Sequence, residues 1–73
     1  MTLESSITFT VKSNWWTGRK ILKLAKKQVL YAYRSGLNEI VLTVRADDKE
    51  KIYKLLLQNK VKEIKMTSGM FNL

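Results

Sequence analysis

The sequence predicts an α/β domain: a two-layer sandwich of order β-α-β-α-β, with a possible short C-terminal fourth strand and the helices on one face of the sheet. Apolar residues alternate over residues 6–12, with the period of a half-buried strand. Residues 16–35 instead repeat with the helical period of 3.6. A second strand, helix and strand follow, and such units build two-layer sandwiches. A length of 73 residues predicts one domain spanning residues 1–73.

The first helix is expected to begin at residue 16 or 17 and to end at Ser35. Either Ser13 or Asn14 can cap it, because both side chains accept hydrogen bonds from backbone N–H groups. Gly36 is expected to supply the left-handed stop. Gly18, in the first turn, either lets another backbone approach closely or loosens the start of the helix.

The two sides of this predicted helix separate cleanly by polarity. One side is mainly apolar and consists of Ile21, Leu22, Leu24, Ala25, Gln28, Val29, Ala32 and Tyr33. The other side carries only cations among its charged residues: Arg19, Lys20, Lys23, Lys26, Lys27 and Arg34. Solvated helix faces commonly contain Glu–Lys pairs four residues apart, and this face has no acid. The pattern therefore favours a phosphate-binding surface over a merely solvated one.

The second half of the chain predicts a central strand, a helix and a further strand. Residues 38–46 are apolar on both faces, as in a strand with neighbours on each side. A helix over residues 48–59 is expected to start with a capping box of Asp47 and Glu50, and Asn59 is a plausible left-handed terminator.

Residues 61–67 are predicted to form the third strand of the sheet. Ser68 and Gly69 indicate a turn. Residues 70–73 are expected to return as the optional fourth strand. The second face of the sheet should be at least partly open, because the first strand alternates in polarity.

Charge is the main functional signal. The net charge is +8, and no acid occurs between Glu4 and Glu39. This asymmetry favours a polyanionic partner, with nucleic acid first and an anionic membrane second. Membrane-surface binding by the basic helix is the less favoured reading, because its apolar side is needed to cover the sheet.

Catalytic and metal-binding patterns are missing from the sequence. The chain has no cysteine and no histidine, which excludes a thiol nucleophile and an ordinary zinc site. Asp47, Asp48 and Glu50 either gather a hard cation or start a helix, and the helix dipole favours the second reading. We expect no enzyme, no cofactor and no metal site.

Several aromatic side chains border the basic region. Trp15 is expected to lie in the core, and Trp16 to be at least partly exposed, where it can stack on a base or wedge into a groove. Tyr31 and Tyr33 either flank a nucleic-acid path or, as favoured here, line the rim of the core. Leu30 projects among the lysines and hints at contact with a protein partner.

The segment "LNEIVLTVRADDKEKIYKLLLQNKVKEIKMTSG" resembles the middle of Alba-type archaeal chromatin proteins, which have a strand of the type E-I-V-x-x-x-R followed by a helix and a strand. The resemblance implies a β-α-β-α-β-β fold, dimerisation and sequence-tolerant binding of DNA or RNA. It also implies a nucleic-acid contact for Arg45. The paired lysines of that family are displaced here, and its long hairpin arm is shortened to "TSGMFNL".

Together these patterns predict a small, basic, cytoplasmic nucleic-acid-binding protein that contacts phosphates largely without sequence specificity and that can form a homodimer. The predicted contact residues are Lys12, Trp16, Arg19, Lys20, Lys23, Lys26, Lys27, Arg34 and Arg45. The alternative is a small protein-binding module of the phage or mobile-element type, an inhibitor or adaptor that docks its basic helix on an acidic protein.

Overall fold

The computed structural model describes the backbone of residues 3–72 and the side chains of residues 4–70. The elements in chain order are β1 (Leu3–Lys12), α1 (Trp15–Ala25), β2 (Tyr31–Gly36), β3 (Glu39–Arg45), a short 3₁₀ helix (Ala46–Asp48), α2 (Lys49–Gln58) and β4 (Glu63–Asn72). The α/β class is confirmed. The predicted order β-α-β-α-β is wrong, because an extra strand, β2, follows the first helix.

The four strands form one sheet of order β2-β3-β1-β4, in which all neighbours are antiparallel. Strands β1 and β2 are therefore parallel to each other with β3 between them. In the same way, β3 and β4 are parallel with β1 between them. Each helix thus connects two parallel strands that are not neighbours, which is the split β-α-β arrangement. As predicted, β3 is a central strand.

Helix α1 ends at Ala25 instead of Ser35, which is the largest error of the sequence prediction. Residues 31–36 form an edge strand that turns into β3 through residues 37 and 38. Tyr31 and Tyr33 alternate with smaller residues here, so the segment fits a strand period as well as a helical one. Tyrosine favours strands, and both rings gain cross-strand neighbours on β3. Gly36 has no positive φ and ends a strand rather than a helix.

Both helices pack on the same face of the sheet. Alternation along β1 and β3 places one set of side chains against the helices, where Ile21 and Ala25 of α1 and Ile52 and Leu56 of α2 meet them. This core consists of Phe9, Val11, Ile21, Ala25, Ile40, Leu42, Val44, Ile52 and Leu56. The residues between them on each strand occupy the opposite face, which has no helix over it among residues 3–72.

The predicted helix caps are only partly correct. Asn14 caps α1, and its Oδ1 accepts a hydrogen bond from the Thr17 backbone N at 2.7 Å. The predicted capping box of Asp47 and Glu50 is absent, since Asp48 lies at the N-cap of α2 and makes no side-chain cap bond. The left-handed residue after α2 is Lys60, with φ of 54°, instead of Asn59.

Strand β4 is longer than predicted. It continues through Ser68 and Gly69, which lie opposite Ile7 and Ser6 of β1, so the predicted turn is wrong. The predicted separate fourth strand over residues 70–73 is instead the end of β4, and Leu73 lies outside the described residues. In the part of the chain that the structure covers, no helix is long and apolar enough to cross a membrane.

Gly18 allows α1 to approach the sheet closely. A Cβ atom at this position would lie 3.3 Å from Cγ2 of Ile40 and 3.4 Å from Oγ of Ser13. Gly18 is buried together with Ile21 and Ala25, and these three positions form the stripe of α1 that faces the core. Of the two roles considered for Gly18, the structure favours close approach.

We predict that Gly18→Val lowers the free energy of unfolding by about 1–3 kcal/mol, because the added methyl groups overpack the contact with β3. Gly36→Val is the matched control, since a Cβ at Gly36 meets only the Cβ of Glu39, at 4.0 Å. Thermal melting of both variants measures the difference. An equal melting temperature for the two variants would contradict the close-packing account.

Candidate nucleic-acid interface

Helix α1 presents a continuous basic surface to solvent. Because Gly18, Ile21 and Ala25 face the core, the other side of the helix faces solvent. We define the basic helix surface as five exposed cations on α1 and on the turn that follows it: Arg19, Lys20, Lys23, Lys26 and Lys27. The last two lie beyond the helix end, so the surface is part helix and part turn.

The basic helix surface is not neutralised from within the molecule. Among the side chains of residues 4–70, no carboxylate oxygen lies within 4.0 Å of these five cations. The ion pairs lie elsewhere: Lys12–Glu63 at 3.7 Å, Lys65–Glu63 at 4.0 Å and Arg45–Glu4 at 3.7 Å. The five cations therefore form no ion pair with the described carboxylates, although Asp48 lines a depression together with Lys27.

Helix α2 adds exposed lysines that were not predicted as contact residues. Lys49, Lys51 and Lys54 are all exposed, and α2 contacts α1 in the same layer. Glu50 lies four residues before Lys54, which is the spacing of a favourable helical ion pair. The outer face of α2 thus has mixed charge, unlike that of α1. Lysines mixed with acids carry no clear signal in a sequence, which is why they were not singled out.

Lys12 and Arg45 do not extend the basic helix surface in the way predicted. Both alternate with core residues and so lie on the sheet face away from the helices. Lys12 is paired with Glu63. Arg45 is 3.7 Å from Oε2 of Glu4, too far for a hydrogen bond, so this contact is electrostatic. Arg45 also lines a shallow depression of about 300 Å³ with Lys27, at the border between the two surfaces.

Arg34 has a structural role instead of the predicted place on the first helix. It lies on β2, where Nη1 donates to the Leu37 carbonyl at 3.1 Å and Nη2 donates to the Trp15 carbonyl at 3.2 Å. Its guanidinium also lies over the Trp15 ring, 5.0 Å from the centroid. Arg34 therefore joins the β2–β3 hairpin to the start of α1.

The two tryptophans form a corner at the start of α1. Their ring centroids are 4.9 Å apart and their planes meet at 86°, an edge-to-face contact. Trp15 is 36% exposed and so is not a core residue as predicted, whereas Trp16 is 72% exposed. Trp16 borders a shallow depression of about 310 Å³ together with Arg19, Lys20 and Lys23. The most exposed indole thus lies within the basic helix surface.

Tyr31 and Tyr33 lie on the uncovered sheet face and not on a helix. They pair with Thr43 and Val41 of β3, and both rings are more than half exposed. Thr43 is also joined to Thr8 by a hydrogen bond of 3.2 Å between their hydroxyls. The error in the first helix misplaced the whole segment, so both rings lie on the sheet instead of on a helix; a nucleic-acid path along them stays a prediction.

Comparisons with known proteins add no assignment. A scan against models of protein families and searches of curated proteins and of solved structures give no match for this chain. Asp47, Asp48 and Glu50 do not come together, and no group of three potential metal-ligating side chains occurs in the part of the chain that the structure describes.

We predict that Arg34→Met destabilises the fold by about 1–2 kcal/mol, because two carbonyl hydrogen bonds are lost. Lys12→Met is the matched control: it also removes one cation but only an exposed ion pair, which contributes about 0–1 kcal/mol. Chemical denaturation of the two variants compares these effects. A larger loss for Lys12→Met would contradict the structural role given to Arg34.

Proposed function

We propose that the protein binds nucleic acid through phosphate contacts made by the basic helix surface. One observation carries the proposal: five neighbouring cations face solvent with no carboxylate within 4.0 Å among the described side chains, and an exposed tryptophan lies beside them. Cations arranged in this way can neutralise several phosphates at once and release the counterions that a polynucleotide condenses. The ligand is a polyanion, since a single small anion would engage only part of the surface.

The geometry suits a ligand that follows the helix. Trp16, Lys20 and Lys23 have spacings of four and three residues and so form one row along the outer side of α1. Seven residues of helix give this row a length of about 10 Å. Duplex DNA carries one charge per about 1.7 Å of axis, so the row can face several phosphates.

Specificity for sequence should be weak. Phosphate contacts position a protein on nucleic acid but read no bases. The basic helix surface is composed mostly of flexible lysines, which act as point charges and not as planar donors that recognise base edges. Five phosphate contacts would give a log–log salt slope of about −4.5 on duplex DNA.

The broader proposal includes a binding role without catalysis, a cytoplasmic location and a possible homodimer. The absence of cysteine and histidine supports the first two. The ten-residue edge strand β4 supports the third, because its outer backbone groups offer a template for a second copy. The Alba-type resemblance remains a hypothesis, and the observed element order differs from the one it implies.

A second candidate function is docking on an acidic protein. It is favoured by an apolar depression of about 370 Å³ beside the basic helix surface, lined by Leu22, Lys26, Val29, Leu30, Tyr31 and Ala32. Leu30 is partly exposed there, which fits an anchor within a charged surround. Binding that survives neutralisation of the lysines but is lost in Leu30→Ser would favour this function over nucleic-acid binding.

We predict that Lys20/Lys23/Lys27→Gln makes the salt dependence of DNA binding less steep by about 2–3 units of log–log slope, because each lost phosphate contact removes about 0.9. The assay is fluorescence anisotropy of a labelled 20-base-pair duplex titrated at several salt concentrations, with slopes compared between wild type and variant.

The matched control is Lys12/Lys62/Lys65→Gln, which lowers the net charge of +8 by the same three units at sites away from α1. We expect its salt slope to equal that of the wild type. Equal changes in the two triple variants would show that only net charge matters and would refute the basic helix surface as the contact site. A wild type that does not bind DNA or RNA at low salt would refute the proposed function.

A further inference from the structure

A chain of contacts connects the sheet to Trp16. Arg34 of β2 donates hydrogen bonds to the carbonyls of Leu37 and Trp15, so both terminal nitrogens of its guanidinium, Nη1 and Nη2, have a partner. The same guanidinium lies 5.0 Å from the centroid of the Trp15 ring. The chain of contacts thus runs from the β2–β3 hairpin to the first residue of α1.

The Trp15 ring is also contacted by two further side chains. The Arg19 guanidinium lies 5.5 Å from its centroid, within the range of a cation–π contact. The Trp16 ring meets it edge to face, with centroids 4.9 Å apart. Trp15, which is 36% exposed, therefore lies between Arg34 and Arg19 on one hand and Trp16 on the other, and we call it the support of Trp16.

Trp16 itself is left free for a ligand. Its side chain is 72% exposed, although an indole of this size is ordinarily well buried. Among the side chains of residues 4–70, three others line the same depression, and all are cationic: Arg19, Lys20 and Lys23. An aromatic face and a group of cations at one place match the two parts of a nucleotide, a base that stacks and a phosphate that is negatively charged.

We propose that Trp16 and its three cationic neighbours form a binding site for one unpaired nucleotide, so that the protein prefers single-stranded nucleic acid to duplex. This inference rests on the proposed function and names its ligand class. In a duplex, the faces of each base are already covered by its stacked neighbours. An unpaired base can leave the stack at low cost and place its face on the indole. The phosphates on either side then reach the basic helix surface.

The test compares a 12-nucleotide oligo(dT) with a duplex of equal length by fluorescence anisotropy at constant salt. We expect Trp16→Leu to weaken binding of oligo(dT) about 10-fold and to leave duplex binding within about twofold, because stacking on one base is lost. Trp16→Phe keeps an aromatic face and should show a smaller loss. Thermal melting confirms that both variants fold.

The double variant Tyr31→Leu/Tyr33→Leu is the control for the other exposed aromatic surface. It should leave the affinities for oligo(dT) and for the duplex unchanged. A loss of oligo(dT) binding in this variant but not in Trp16→Leu would move the single-strand site to the sheet face and overturn the proposal. In a Trp15→Phe background, where Trp16 is the remaining indole, oligo(dT) should quench the fluorescence and the duplex should not.

Arg34→Met tests the positioning role of the support. We expect it to reduce the ratio of oligo(dT) to duplex affinity and to shift the indole N–H resonance of Trp16, which NMR resolves from that of Trp15; a general loss of stability would produce neither effect at temperatures where the variant is folded. An unchanged ratio would show that Trp16 needs no support and would refute this part of the proposal.

The outcomes separate this inference from the proposed function. Equal binding of oligo(dT) and duplex, with Trp16→Leu affecting both alike, would overturn the unpaired-nucleotide site and leave phosphate binding intact. Absence of binding to either would refute both. Binding of poly-glutamate, dependent on Trp16 and without any binding of nucleic acid, would assign the same surface to an acidic protein.

Discussion

The packing of α1 against the centre of the sheet is the constraint on which the other features depend. Gly18 brings the helix within van der Waals distance of Ile40, and Ile21 and Ala25 complete the buried stripe. Because α1 is only eleven residues long, this stripe fixes its rotation about its own axis. The outward direction of the cations is a consequence of burying the opposite side. A helix rotated by one residue would place a lysine in the core, which is prohibitively costly without a partner.

The contacts at the start of α1 contribute both to the stability of the fold and to the proposed function. Arg34 satisfies two carbonyls and supports Trp15, and Trp15 in turn contacts Trp16 and Arg19. A residue on an edge strand is thereby connected, through Trp15, to an exposed indole on the other layer of the fold. The uncovered sheet face is different in character: its cations Lys12 and Arg45 are paired with acids, so it offers no comparable excess of charge.

Much of the fold could be predicted from local patterns. The alternation of Phe9 and Val11 and the run of apolar residues in β3 identified β1 and the central strand, and the acid-free segment identified the basic surface. The end of the first helix could not be assigned correctly: residues 26–30 form a turn, and residues 31–35 suit a helix and a strand equally by polarity. Only pairing with β3 decides between them. That error displaced Arg34, Tyr31 and Tyr33, and the support for Trp16 could not be inferred from the sequence.

The most direct test of the account is a titration of the ¹⁵N-labelled protein with oligo(dT) at low salt. The backbone amide and indole N–H resonances are monitored by NMR. The account predicts that the largest shifts occur in residues 16–27 and at the indole N–H of Trp16, and that they disappear as salt is added. Shifts that are confined to the uncovered sheet face, around Thr8, Tyr31 and Thr43, would contradict it. Shifts in α1 that persist at high salt would contradict the electrostatic mechanism.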